Sequence, residues 1–186
     1  MSRTRSMSPH RIRVFVVDDH PLIRSGLAGM IDAESDLEGV GEAGSGEEAV
    51  GRLPALTPDV VLMDLVMTGM DGIEAVASLH KRMPNTKFLI LTSLIDPAAI
   101  RRAMSAGASG FLLKTASAHE LVTVIRSAHA GRRVLAPEAT DALFEASRQS
   151  TAGGDLTRRE RELLALMARG LNSRRSPRNS RSPCRR

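Results

Sequence analysis

Short apolar runs alternate with stretches whose apolar residues recur every three to four positions, and the alternation repeats five times along the chain. "IRVFVV" (12–17) reads as a buried strand, followed by the helical pattern "HPLIRSGLAGMIDA" (20–33), with Pro21 at a first helical position. "LEGVGEA" (37–43) is a weaker strand, and "SGEEAVGRL" (45–53) opens with Ser45 and Glu48 as a capping box. "DVVLMD" (59–64) is the strongest strand signal, followed by "DGIEAVASLHKRM" (71–83) with an Asp71/Glu74 box. "KFLILT" (87–92) precedes "DPAAIRRAMSAG" (96–107), where Asp96 caps and Pro97 follows. "SGFLLK" (109–114) precedes "SAHELVTVIRSAHAG" (117–131), which begins with a Ser117/Glu120 box.

Strands that are apolar throughout are buried on both faces, so five of them separated by helices predict a parallel sheet with helices on both sides. Right-handed crossovers leave few topologies, and the doubly wound, flavodoxin-like (βα)5 order is the common five-strand solution. The predicted fold class is therefore α/β over 12–130. In such a fold, functional residues collect at the carboxyl ends of the strands.

Those ends carry Asp18 and Asp19 after the first strand, Asp64 after the third, Thr92 and Ser93 after the fourth, and Lys114 after the fifth. Any one of these alone reads as an ordinary strand-end cap or surface charge; their joint presence makes the pattern specific. Clustered carboxylates need raised pKa values or a cation. An all-oxygen set selects a hard ion, Mg²⁺ first among them. A hydroxyl and an ammonium without a histidine base suit phosphoryl binding or acceptance better than acyl transfer.

Composition changes the picture at the two ends. The net charge is +5, but residues 1–13 carry four Arg and residues 171–186 carry six, with no acid in either. Taking those ten from 26 bases leaves 16 against 21 acids, so the body is at −5 and is not a nucleic-acid surface by charge. The single cysteine, Cys184, lies in the basic tail and allows no internal disulfide. No apolar run approaches the roughly 20 residues that span a membrane, and "MSRTRSMSPHRIR" lacks the apolar core of a signal peptide. The expectation is a cytoplasmic protein without a membrane partner.

"VVDDHP", "DVVLMDLVMTGMDGIEA", "ILTS" and "GASGFLLK" resemble the signature of bacterial response-regulator receiver domains, over about residues 12–130, and in particular the NarL/FixJ branch with a LuxR-type helix-turn-helix output. The resemblance implies that Asp64 accepts a phosphoryl group from a sensor histidine kinase. It implies that Asp19 coordinates Mg²⁺ with Asp64 and the carbonyl of Val66, Asp18 assisting through water or a hydrogen bond. Thr92 and Lys114 would bind phosphoryl oxygens, and Phe111 falls at the aromatic switch position. Once Asp64 is phosphorylated, Thr92 would be drawn inward and Phe111 would rotate in, changing the face of the fourth helix, fifth strand and fifth helix. Homodimerisation on phosphorylation follows from the same resemblance. One departure stands out: Thr68 occupies the family's usual proline position, which should loosen the loop after Asp64 and alter the phosphoryl lifetime.

His20, beside the acidic pair, reads as a solvated helix-start residue. His80, His119 and His129 read as exposed helix positions, and Met63, Met67 and Met70 as packing. Residues 131–155 read as a linker in which Pro137 opens a short helix and "QSTAGGD" is flexible. "LTRRERELLALMARG" (156–170) is amphipathic, with a Thr157/Glu160 box, and resembles the first helix of a LuxR-type DNA-binding domain. A scaffold and a recognition helix should follow, but residues 173–186 contain no Leu, Ile, Val or Ala. The expectation for 156–186 is an incomplete all-α helix-turn-helix fragment with a disordered basic tail, of the composition that off-frame translation of a GC-rich gene yields. No complete DNA-binding site is expected, only weak, salt-sensitive attraction through the tail arginines.

Three functions compete at this stage. One is a non-enzymatic response regulator whose intact version binds DNA. Another is a receiver acting only as phosphoacceptor and dimerisation module. The third is a Mg²⁺-dependent phosphatase using Asp64, which would want a second Asp where Val66 stands.

Overall fold

A computed structural model describes residues 11–135, 139–141 and 144. The amphipathic stretch 156–170, the basic tail with Cys184 and most of the expected linker lie outside the described residues.

Five strands, β1 (Ile12–Val17), β2 (Leu37–Ala43), β3 (Val60–Asp64), β4 (Lys87–Thr92) and β5 (Gly110–Leu113), alternate with five helices. These are α1 (Pro21–Asp32), α2 (Gly46–Leu56), α3 (Gly72–His80), α4 (Pro97–Ala106) and α5 (Ala118–His129). The sheet is parallel, in the order β2-β1-β3-β4-β5 and then a further strand, β6 (Val134–Leu135). The crossing back over β1 after β2 is the doubly wound, flavodoxin-like arrangement the alternation predicts. α1 packs beside α5, while α2, α3 and α4 follow one another, so both faces of the sheet are covered.

β6 is an addition to the predicted five strands. Two residues give no period to read, and the strand exists because Gly110 lets the chain approach: a Cβ there would stand 2.6 Å from the Val134 carbonyl oxygen. Val134 pairs with Gly110 and Leu135 with Phe111, closing an edge that β5 would otherwise present. Ala139–Asp141 and Phe144 are helical.

The helix starts follow their caps. Asp71 and Ser117 each close a reciprocal capping box, and Asp96 accepts the Ala98 N–H. At α2 only half of the expected box forms. Ser45 Oγ accepts the Glu48 N–H, but the Glu48 carboxylate reaches back one residue further, to the N–H of Gly44. α2 also runs past Leu53, through Pro54, to Leu56.

The core lies on both sides of the central strands. β3 is buried at every position, whereas β2, on the outer edge, is buried only at Leu37 and Ala43, which is why its sequence signal is weak. Phe15, Phe88 and Phe111 are fully enclosed. The β1–β2 register slips between Val14 and Phe15, and Gly41, at φ 152°, passes so near the Phe15 ring that a Cβ would stand 2.8 Å from it. Among the described residues no helix is long and apolar enough to cross a membrane.

Candidate functional site

Asp18, Asp64 and Lys114 meet at the carboxyl edge of the sheet, each at the end of a strand whose ladder fixes it. The Asp18 N–H donates to the Ala43 carbonyl, Leu65 N–H to Leu91, and Lys114 N–H to Thr92. The Asp18 side chain, wholly buried, accepts the His20 N–H at 2.8 Å and so turns the chain into α1. Gly72, the first residue of α3, lies against the Asp64 carbonyl oxygen so closely that no Cβ fits, and its N–H donates to Leu65. Strand, loop and helix thus clasp the Asp64 backbone.

Lys114 Nζ is 2.7 Å from Asp18 Oδ2 and 2.7 Å from Asp64 Oδ2. These are ion-pair approaches without the alignment of regular hydrogen bonds, and Asp18 Oδ2, Asp19 Oδ1 and Asp64 Oδ2 are all buried without such a bond. Burial pushes the Asp64 carboxyl above its ordinary pKa; the adjacent ammonium pulls it down, the Asp18 charge pushes it up, and the balance is upward. Burial pulls the Lys114 ammonium down, but the Asp18 and Asp64 carboxylates outweigh it and leave its pKa raised. Two carboxylates share one cation, so negative charge remains in excess.

Asp19 and His20 complete the cluster. His20 heads α1 and is 66% exposed, as its sequence position suggests, yet its Nδ1 stands 2.7 Å from Asp19 Oδ1 and 3.4 Å from Asp18 Oδ1. One ligand atom from each of Asp18, Asp19, His20 and Asp64 can be chosen so that all lie within 4.8 Å of one another. Three clustered carboxylates whose buried oxygens meet Lys114 and His20 alone fit a hard divalent cation. Val66 is exposed, and its N–H donates to Asp64 Oδ1 at 3.3 Å. The Thr68 N–H reaches Asp19 Oδ2 at 3.4 Å.

Thr92 ends β4 and Phe111 lies within β5. The Thr92 hydroxyl donates to the Leu94 carbonyl at 2.9 Å and accepts the Leu94 N–H at 3.3 Å, so it faces its own loop. Phe111 is buried, 1% exposed, and pairs with Leu135 of β6. Met63 and Met67 are buried, and His80, His119 and His129 are exposed.

Arg24 escaped the sequence reading. Its Nη1 donates to the Asp18 carbonyl at 2.6 Å and its Nε to Glu42 at 3.1 Å, so it ties α1 to the ends of β1 and β2. The available signal was a cation in the first turn of a helix, where the dipole disfavours positive charge unless acceptors hold it.

Residues 14–126 match the family described as the response regulator receiver domain. The chain is 41% identical over 163 residues to the transcriptional regulatory protein LiaR of Bacillus subtilis, covering 86% of this chain and 77% of LiaR. It is 38% identical to the response regulator protein VraR of Staphylococcus aureus, covering 87% of this chain and 78% of VraR. A two-component response regulator of the LuxR family from Aurantimonas sp. superposes with a TM-score of 0.70 at 34% identity, over 74% of this chain and 98% of that one. With its doubly wound sheet and acidic edge, the chain belongs to the response-regulator receiver family.

Proposed function

We propose that the chain receives a phosphoryl group on Asp64 from a sensor histidine kinase and passes the change on to the control of transcription. The observation that carries this reading is the single ammonium of Lys114 shared between Asp18 and Asp64, at 2.7 Å from each, beside a third carboxylate. In the transfer an Asp64 oxygen attacks phosphorus and the phosphorus–nitrogen bond of a phosphohistidine breaks. Its electron pair returns to the imidazole, which takes up a proton.

Asp19, Asp64 and the Val66 carbonyl would hold Mg²⁺, with Asp18 assisting. When bound, the ion offsets the charge of the phosphoryl oxygens. Lys114 exchanges its Asp64 partner for a phosphoryl oxygen. Thr92 leaves the Leu94 carbonyl and donates to another, drawing on the loop that leads into α4. The movement of that loop opens space for Phe111 to rotate and alters the face formed by α4, β5 and α5, where a homodimer would form.

Asp64 is charged once and then discharged, so the chain acts as a regulator and not as an enzyme. The likeness to LiaR extends beyond the receiver, over 86% of the chain, which supports a transcriptional output. We assign 131–155 to the linker and 156–186 to the first part of a LuxR-type helix-turn-helix followed by a basic tail. The composition of 173–186 favours a second reading, a receiver that dimerises without reading specific DNA.

The test is incubation with Mg²⁺ and radiolabelled acetyl phosphate. The native chain should take up to one acid-stable, base-labile label and Asp64→Asn none; equal labelling of the two would overturn the assignment.

A further inference from the structure

The loop between β3 and α3 carries Val66 and Thr68 over the acidic cluster. A proline at 68 would fix φ near −65° and remove conformations from the open loop. This chain has Thr68, so another group must restrain the loop if Val66 is to stay in place.

Glu47 is that group by position. It lies in the first turn of α2, and its Oε1 accepts the Met70 N–H at 2.8 Å. Gly69, at φ 83°, brings the loop so close that a Cβ would stand 2.6 Å from the same oxygen. From the other side, a Cβ on Gly46 would stand 2.6 Å from the Met70 carbonyl oxygen. Two glycines therefore let the loop and the helix start touch, and the Glu47 carboxylate bridges them. On its far side the loop makes two long contacts, from the Val66 N–H to Asp64 at 3.3 Å and from the Thr68 N–H to Asp19 at 3.4 Å. Backbone N–H groups at its own helix start and at Met70, with the Ser45 hydroxyl, hold the Glu47 carboxyl below its ordinary pKa against slight desolvation, so the acceptor is charged at neutral pH.

We propose that Glu47 is a positioning residue for the acceptor loop, its hydrogen bond to Met70 supplying the restraint that proline would give and thereby setting the lifetime of phosphorylated Asp64. The chemical half of this rests on Asp64 being the acceptor; the restraint on the loop does not. The lifetime ends when water attacks phosphorus, the bond from phosphorus to the Asp64 oxygen breaks with its electron pair returning to the carboxylate, and orthophosphate leaves with the proton released to solvent. A loop that opens more often admits that water more often.

Four full-length chains decide it: native, Glu47→Ala, Glu47→Gln, and Glu47→Ala combined with Thr68→Pro. Amide hydrogen exchange at Val66, whose N–H donates to Asp64, is read without any phosphodonor, and label decay is read after acetyl phosphate. Glu47→Ala should exchange and lose label about fivefold faster, since a charge-assisted hydrogen bond is lost. Glu47→Gln, whose amide oxygen still accepts, should stay near native, and Thr68→Pro should slow label decay in the Glu47→Ala chain by stiffening the loop, although it gives up the Thr68 N–H contact to Asp19. Unchanged exchange in Glu47→Ala overturns the restraint. Faster exchange with unchanged decay overturns its link to lifetime, as does a proline that leaves decay as fast as in Glu47→Ala. A native chain that takes no label at all defeats the Asp64 reading instead, while the exchange data still judge the restraint.

Discussion

Among the described residues one lysine and one arginine each stand between two carboxylates, and the two clusters behave in opposite ways. At the sheet edge Lys114 stands 2.7 Å from both Asp18 and Asp64. At the turn between α1 and β2, Arg126 of α5 stands 2.8 Å from Glu34 and 2.7 Å from Asp36, with a second contact to Asp36 through Nε. Burial separates them. Side chains in the first cluster are 0–11% exposed and those in the second 39–46%. Asp64 is consequently pushed up in pKa by desolvation, while Asp36 is held below its ordinary value by its contact with Arg126. In water the geometry of Arg126 is a tie between elements; out of water the same arrangement leaves unsatisfied charge, which a metal ion or a phosphoryl group can use.

Removing the cation should separate the two most sharply. Lys114→Met leaves Asp18 and Asp64 facing each other without compensation, and a loss of about 3 kcal/mol in urea unfolding at neutral pH is expected. Added Mg²⁺ should recover part of it. An unfolding curve that matches the native one would mean that Lys114 is not the charge that holds this edge together.

Removing a carboxylate should give effects of opposite sign. Asp64→Asn deletes a charge that burial and Asp18 oppose, and Lys114 keeps Asp18 as partner. Without metal the variant should therefore be as stable as the native chain, or about 1 kcal/mol more stable. Asp36→Asn should bring a small loss instead, because that carboxylate is favoured where it stands. Thermal melts of the two variants side by side provide the check, and a clear loss in Asp64→Asn would show that its pairing outweighs its desolvation.

The contrast also explains what the sequence made legible. Asp18, Asp19, Asp64, Thr92 and Lys114 could be read because each ends an apolar run, and a doubly wound sheet brings all such ends to one edge. The direction of the Thr92 hydroxyl and the pairing of β6 beside Phe111 arise from contacts that no periodicity announces. Arg126 lies 90 and 92 residues from Asp36 and Glu34 in the chain and pairs with them through the packing of α5 beside α1, so only the fold reveals the cluster. The bond from Glu47 to Met70 is hidden for the same reason, although the missing proline at Thr68 marked the loop that needed it.

The smallest effect belongs to Arg126→Met, and pH gives it a distinctive shape. Asp36 has a lowered pKa in the folded chain, so its contact with Arg126 contributes stability that is fully present above about 3.8, the ordinary value, and is lost as pH falls through the lower folded value. The native chain should be slightly more stable than Arg126→Met at neutral pH, by far less than the Lys114 difference. The two unfolding midpoints should converge as pH drops below that of an ordinary aspartate. High salt should bring the same convergence at neutral pH, because exposed charges are screened and the Lys114 cluster is largely not. A difference that persists in acid and in salt would mean that Arg126 contributes through the packing of its methylene stem against α1 and not through charge.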